Sequence, residues 1–339
     1  MCKRDLFRFI KNRVWDKLKG WNMSVFSVAG KEVLLKAVVQ TIPTYAISCF
    51  KLPKTLIKDL HRLIADFWWG SKTGKSKMHW EKWNQMCNSK KRGGLGFRDL
   101  RCFNQALLAK QGWRLLRKPD SLVDKVLKAC YYPSGDFLTA RKGSKASFVW
   151  RSIIWGKEVI ENDSRWRIGS GVNIDIIQDR WVPNPPMFKI FDPPPFPEGF
   201  SVFDIRLHNG EWDSEFILLL FGEEEARKIL SLPLGSFNHD DVFIWHFSRD
   251  GEYSVKSGYK VALDAKGYVE PSNPSFSMSW WRKLWGMKLP PKVKVFGWKL
   301  CKGWLPSTNT LAHRGMNVNA NCFRCGLGLE TTFYAYLGM

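Results

Sequence analysis

The sequence predicts a mainly α fold with small β-hairpins, built in several parts: a basic helical N-terminal region and a small zinc-knuckle-like C-terminal domain among them. Three observations carry this. Apolar residues recur at three- and four-residue spacing through the first 160 positions, two short alternating segments flank glycine turns, and charge changes sign along the chain. Residues 1–150 hold 31 Lys+Arg against 10 Asp+Glu, a net of +21. Residues 151–275 hold 13 against 20, and residues 276–339 hold 9 against 1.

The first helix is read from Leu6, Ile10, Val14 and Leu18, with Phe9 on the same face. A second stripe runs through Leu56, Leu60, Leu63, Ile64, Phe67 and Trp68, with Gly70 as its stop. The third, Phe103 to Leu116, ends at Pro119. Arg165–Ile168 and Val172–Ile176 alternate around Gly169-Ser170-Gly171, which predicts a hairpin. Val242–Phe247 and Glu252–Val255, around Asp250-Gly251, predict another. Seven of the 17 prolines lie between Pro183 and Pro197, the composition of a stiff linker, and an acidic helical stretch covers about 214–230. A polar second linker is expected over 265–277, followed by a basic, tryptophan-rich helical tail. The expected domains are therefore 1–160, 161–240 and 241–339.

A net charge of +22 strains a compact chain unless a polyanion neutralises it, so nucleic acid, RNA or DNA, is the expected partner. Lys72, Lys75, Lys77, Lys90, Lys91 and Arg92 form the clusters expected to contact phosphates without reading bases. No apolar run is long enough for a membrane span, and no signal peptide opens the chain. The eight scattered cysteines fit a reducing compartment, so the expected location is intracellular, in nucleus or cytoplasm.

Three motifs invite an enzymatic reading. Gly70-Ser71-Lys72-Thr73-Gly74-Lys75-Ser76 has three residues between its glycines where a phosphate loop needs four, and it follows a helix. His239-Asp240-Asp241 offers paired carboxylates without an evident third metal ligand, so a turn and strand-start role is expected. Cys322-Phe323-Arg324-Cys325-Gly326 is half of a zinc knuckle, to which His313 or Cys301 could add a donor. No catalytic residue is assigned. Zinc is the candidate cofactor, with two of four donors evident.

Blocks spread along the chain then resemble one family. They are Ser27–Glu32, Ile42–Tyr45, Ser48–Pro53, Phe67–Gly70, Gly93–Phe97, Phe103–Gln111, Tyr253–Tyr259, Pro290–Phe296 and Leu305–Thr308. Together they resemble the region downstream of the polymerase palm in plant LINE-type (non-LTR) retrotransposon reverse transcriptases. The resemblance makes 1–160 similar to a polymerase thumb or connection, and 241–339 similar to the reverse transcriptase zinc-binding domain, incomplete at its C-terminus. That domain's pattern implies metal ligands at Cys322 and Cys325, followed by Glu330-Thr331 and then His and Cys. Tyr334 stands at the His position and Met339 at the last Cys.

The resemblance implies an RNA-directed DNA polymerase relative without the polymerase, endonuclease or RNase H centres. Such a non-catalytic fragment would hold nucleic acid non-specifically for an upstream reverse transcriptase polypeptide. The alternatives are a decayed retroelement relic without selected activity, and a protein-interaction adapter using its tryptophans.

Overall fold

The computed structural model describes residues 3–21, 25–70, 77–185, 187–191, 193–267, 274–319, 321–322, 326, 328–331 and 334. In chain order the helices begin α1 (Lys3–Leu6), α2 (Arg8–Lys19), α3 (Val28–Ala37), α4 (Thr44–Cys49), α5 (Lys54–Trp69) and α6 (Trp83–Cys87). There follow α7 (Leu100–Arg117), α8 (Leu122–Tyr131), α9 (Phe148–Asp163), α10 (Ser214–Leu220), α11 (Glu223–Leu230) and α12 (Val255–Asp264). The last are α13 (Pro274–Gly286), α14 (Pro291–Cys301) and α15 (Thr308–His313). Among the described residues there are also two strands, β1 (Ser164–Arg167) and β2 (Val242–Trp245), and short 3-10 turns. The protein is mainly α. Among the described residues no helix is long and apolar enough to cross a membrane.

The chain divides into two compact units. Unit 1 comprises residues 1–44, 52–100 and 269–339; unit 2 comprises 45–51 and 101–268. In unit 1 the stripe Ile10, Val14 and Leu18 of α2 packs on α5, which buries Leu56, Leu60, Ile64, Phe67 and Trp68. Gly70 ends α5 in the left-handed region, φ 80°, where only glycine is unstrained. The segment after α6 turns through Gly93 and Gly94. Trp281 packs against Gly93, whose carbonyl accepts from Trp298 Nε1 at 2.9 Å. Leu95 and Phe97 follow it into the core.

Unit 2 contains two apolar clusters. In one, Trp113, Trp150, Trp245 and Tyr253 are buried together. Trp150 stacks with Tyr131 and Tyr132 at 4.8 and 5.5 Å, and Tyr253 Oη donates to the Ala106 carbonyl at 2.9 Å. Asn104, fully buried, donates to the carbonyls of Ile47 and Phe50, which fixes the end of α4. The second cluster gathers Ile168, Ile174, Trp181, Val202, Trp212, Ile217 and Ile229.

Of the four expected strand segments, two form, at 164–167 and 242–245, and they pair with each other; 172–176 and 252–255 are not strands, so neither expected hairpin closes. β1 runs antiparallel to β2, with Ser164 opposite Trp245 and Arg167 opposite Val242. The physical reason lies in Gly169-Ser170-Gly171. Asp241 accepts hydrogen bonds from the amides of Gly169, Gly171 and Asn173 at 2.8, 2.9 and 3.2 Å. A side chain at Gly169 would collide with the backbone of His239 and Asp240. The glycines therefore admit a distant segment instead of closing a local turn. Arg206 locks the same loop, donating to the carbonyls of Gly169, Ser170, Gly210 and Gly235.

The proline-rich stretch is packed as well, so it is no spacer. Trp181, Val182 and Phe188 are buried, and the amides of Trp181 and Val182 both donate to the Phe188 carbonyl. Large apolar residues between the prolines carry the segment into the core. Pro186 lies outside the described residues. The anticipated acidic helix is two helices, α10 and α11, divided at Gly222.

At the end of α9, burial pushes the Asp163 carboxyl up to about 6, against the opposing pull of Arg180. The folded state holds this proton more tightly than the unfolded chain does. The resulting stabilisation is complete below about pH 4 and lost as pH rises through 6. Asp163→Asn should gain on the wild type progressively between pH 4 and 6.5 in urea unfolding, and hold a constant difference above that. For the loop clasp, Asp241→Ala should cost about 2–4 kcal/mol, the scale for stranding amides that had a charged acceptor. Exposed neighbour Asp240→Ala should change stability by less than about 0.5 kcal/mol in the same experiment.

Candidate nucleic-acid interface

The basic charge is concentrated in unit 1. Its three segments hold 29 Lys+Arg against 9 Asp+Glu, a net of +20, whereas unit 2 holds 24 against 22. Residues 101–150, basic by themselves, fold with the acidic middle of the chain and are neutralised there. Unit 1 has no such counterweight.

Its few carboxylates are shared. Glu32 accepts from Lys36 at 2.7 Å and Lys90 at 2.8 Å. Burial works against its charge, but the hydrogen bonds from the two lysines outweigh it and hold the carboxyl below its usual range. The same two lysines also lie over aromatic rings, Lys36 over Phe97 and Lys90 over Trp285, as do Lys302 over Trp281 and Trp304 and Arg314 over Trp80. Lys31, over Phe67, has its ammonium pKa lowered by burial and then by the charges of Lys77 and Lys299. Burial alone lowers Lys299. The Lys31 and Lys77 ammonium groups thus lie together beside Gly70, and Lys299 adds its repulsion to Lys31, an arrangement that an anion would relieve.

Of the lysines and arginine singled out by sequence, Lys72 and Lys75 lie outside the described residues, as does most of the glycine-lysine loop. Lys77 is exposed beside that loop. Lys90, Lys91 and Arg92 form one 3-10 turn, in which Lys90 is committed to Glu32 and Trp285 while Lys91 is exposed. The reading from runs of charge missed a second grouping. Lys58 and Arg62 on α5, Lys82, and Arg314 just after α15 line an open groove of about 720 Å³ together with Trp80 and Trp83. Only Trp80 and Lys82 are close in sequence to Trp83, so no window of sequence displays the set.

Asp241 serves the backbone of its loop, as described above, and does not stand free for metal chemistry. Among the described residues no group of three or more His, Cys, Asp and Glu side chains could hold a metal ion. Cys322 is buried in a tight turn, its amide donating to the Gly328 carbonyl at 2.7 Å and its carbonyl accepting from Gly326 at 2.9 Å. Gly326 takes φ 67°, so its place after the second cysteine position is a conformational requirement. His313 and Cys301 are exposed, as is Tyr334; Cys325 and Met339 lie outside the described residues.

Within these residues the donor set does not fit a closed zinc site. Two thiols answer to a four-donor pattern, and Tyr334 puts a phenol where the pattern has imidazole. Glu330 has a different use. Its carboxylate accepts from the Thr308 amide at 3.0 Å, and its carbonyl from Asn309 at 3.3 Å, joining the cysteine turn to the start of α15.

Residues 253–337 match the family model described as zinc-binding in reverse transcriptase. The Arabidopsis thaliana protein named "Putative ribonuclease H protein At1g65750" is 31% identical over 342 residues, covering 98% of this chain and 54% of that protein. From the same plant, "Uncharacterized mitochondrial protein AtMg00310" is 42% identical over 151 residues, 43% of this chain and 98% of that protein. The chain thus spans about half the length of the first relative and nearly all of the second. It belongs to the retrotransposon-derived protein family that carries the zinc-binding region of reverse transcriptases.

If Glu330 holds the tail by capping, Glu330→Ala should expose 308–331 to limited proteolysis and lower stability by about 0.5–2 kcal/mol, the usual cost of a lost helix cap. The change should be the same with and without added zinc. A cleavage pattern that zinc alone restores would contradict the assignment.

Proposed function

We propose that this chain is a non-catalytic part of a LINE-type (non-LTR) reverse transcriptase, and that it holds RNA or DNA through the phosphate backbone. The supporting observation is the segregation of charge, +20 on unit 1 against +2 on unit 2. A fold that merely needed a soluble basic surface would gain by interspersing acids, as unit 2 does. Unit 1 instead sets Lys31 within electrostatic reach of Lys77 and Lys299, and shares Glu32 between two lysines. Phosphates supply the missing negative charge. Because they are the same at every base, binding is independent of sequence. An upstream reverse transcriptase polypeptide is the partner for which the nucleic acid would be held.

The test is a titration of the full chain with a labelled oligonucleotide at several salt concentrations. With about six to ten phosphate contacts, affinity should fall by about 10³–10⁵ between 50 and 200 mM salt. Replacing Lys54, Lys58 and Arg62, exposed on successive turns of α5, with Gln should weaken binding and reduce the salt slope by roughly 2–3. The same exchange at Arg141, Lys142 and Lys145, exposed in unit 2, should leave both unchanged. Salt-independent binding, or equal loss from the two triple variants, would refute the proposal.

A further inference from the structure

From the groove of unit 1 we infer that the chain takes single-stranded nucleic acid specifically, by stacking an unpaired base on the Trp80–Arg314 pair. The inference rests on the nucleic-acid reading above and adds which form of the polymer is bound, and where. The groove is open, and its volume of about 720 Å³ is within the range of about 300–1,000 Å³ usual for ligand sites. An open trough suits a polymer, which must leave at both ends.

The chemistry of its walls is selective. The Arg314 guanidinium lies 5.5 Å from the centre of the Trp80 ring, and its Nη2 donates to the Trp80 carbonyl at 2.9 Å. The hydrogen bond and the ring contact hold the guanidinium beside the indole, so cation and ring are placed together before any ligand arrives. Trp83 adds a second aromatic wall, tilted against His61 at 6.0 Å, and packs on Phe97 at 4.9 Å. Its buried indole N–H has no acceptor among the described residues. Lys58, Arg62 and Lys82 are exposed around these rings. Arg62 stands 3.9 Å from Asp66, which His79 also approaches at 3.2 Å.

Phosphate binding alone needs cations and no aromatic rings. Aromatic faces lining a cationic trough are what an unpaired base requires, since its π-face is free to stack. In a duplex those faces are occupied by neighbouring base pairs. A protein partner could also use tryptophan and arginine, but it would not be distinguished by the removal of bases from a sugar-phosphate chain.

The experiment uses the full chain and three fluorescent 12-mers at low salt: oligo(dT), a fully abasic strand, and a duplex. The wild type should bind oligo(dT) about 5- to 150-fold more tightly than the abasic strand, the range one base–aromatic contact provides. Trp80→Ala should abolish that preference while leaving abasic binding unchanged, and Trp80→Phe should retain most of it. Equal binding of oligo(dT) and abasic strand by the wild type, with strong salt dependence, would overturn stacking and leave the phosphate reading standing. A preference that survives in Trp80→Ala, or tighter binding of the duplex than of oligo(dT), would likewise overturn it. Parallel loss of abasic binding in Trp80→Ala would assign Trp80 a structural role and overturn the inference. No binding of any strand would overturn both readings.

Discussion

Unit 1 has to fold 29 cations with 9 carboxylates, and much of its construction follows from that shortage. Ion pairing can satisfy only a minority of the lysines and arginines. Glu32 therefore serves two, Lys36 and Lys90, which also lie over Phe97 and Trp285, while Trp281, Trp304 and Trp80 lie beneath Lys302 and Arg314. A cation over an aromatic face gains roughly 0.5–1 kcal/mol where exposed and about 2 when desolvated. Aromatic richness here is thus an electrostatic device as well as a core-filling one. Where ammonium groups crowd, as for Lys31 beside Lys77 and Lys299, burial and repulsion depress the Lys31 pKa even though it lies over Phe67.

Unit 2 solves the opposite problem. Its charges nearly balance, and its difficulty is backbone: a loop of 169–173 that must accept a segment some seventy residues away. One carboxylate and one guanidinium do this work. Asp241 gathers three amides of the loop, and Arg206 gathers two of its carbonyls and ties them to those of Gly210 and Gly235. Burial lowers the Arg206 pKa against the opposing influence of Asp241, and its ring partner is Phe237 at 4.2 Å.

What was legible in the sequence is what is local. The Ile10–Val14–Leu18 stripe, the stop at Gly70 and the end of α7 before Pro119 depend on neighbours within a turn or two, and all three are present. Two of the four expected strand segments were legible too, but their partners were not. Glycines at 169 and 171 read as a turn because a sequence window cannot show that Asp241 closes upon them. The same limit hid the groove, whose Trp80 and Arg314 stand 234 residues apart. Charge counted along the chain located the basic excess at 1–150, whereas the fold exchanges 101–150 for the basic tail. Glu330 was legible as part of a family pattern. Its task as a cap on α15 needed the coordinates, because it depends on where the Thr308 amide points.

The central claim is that a polyanion completes the charge of unit 1 and leaves unit 2 alone. Hydrogen exchange on the full chain, with and without a saturating 20-nucleotide single strand, reads this segment by segment. The account predicts slower exchange in peptides covering α5, residues 77–92 and α14, and no change across 202–230, where the acidic residues of α10 and α11 lie. Protection confined to unit 2, or spread evenly over both units, would contradict it.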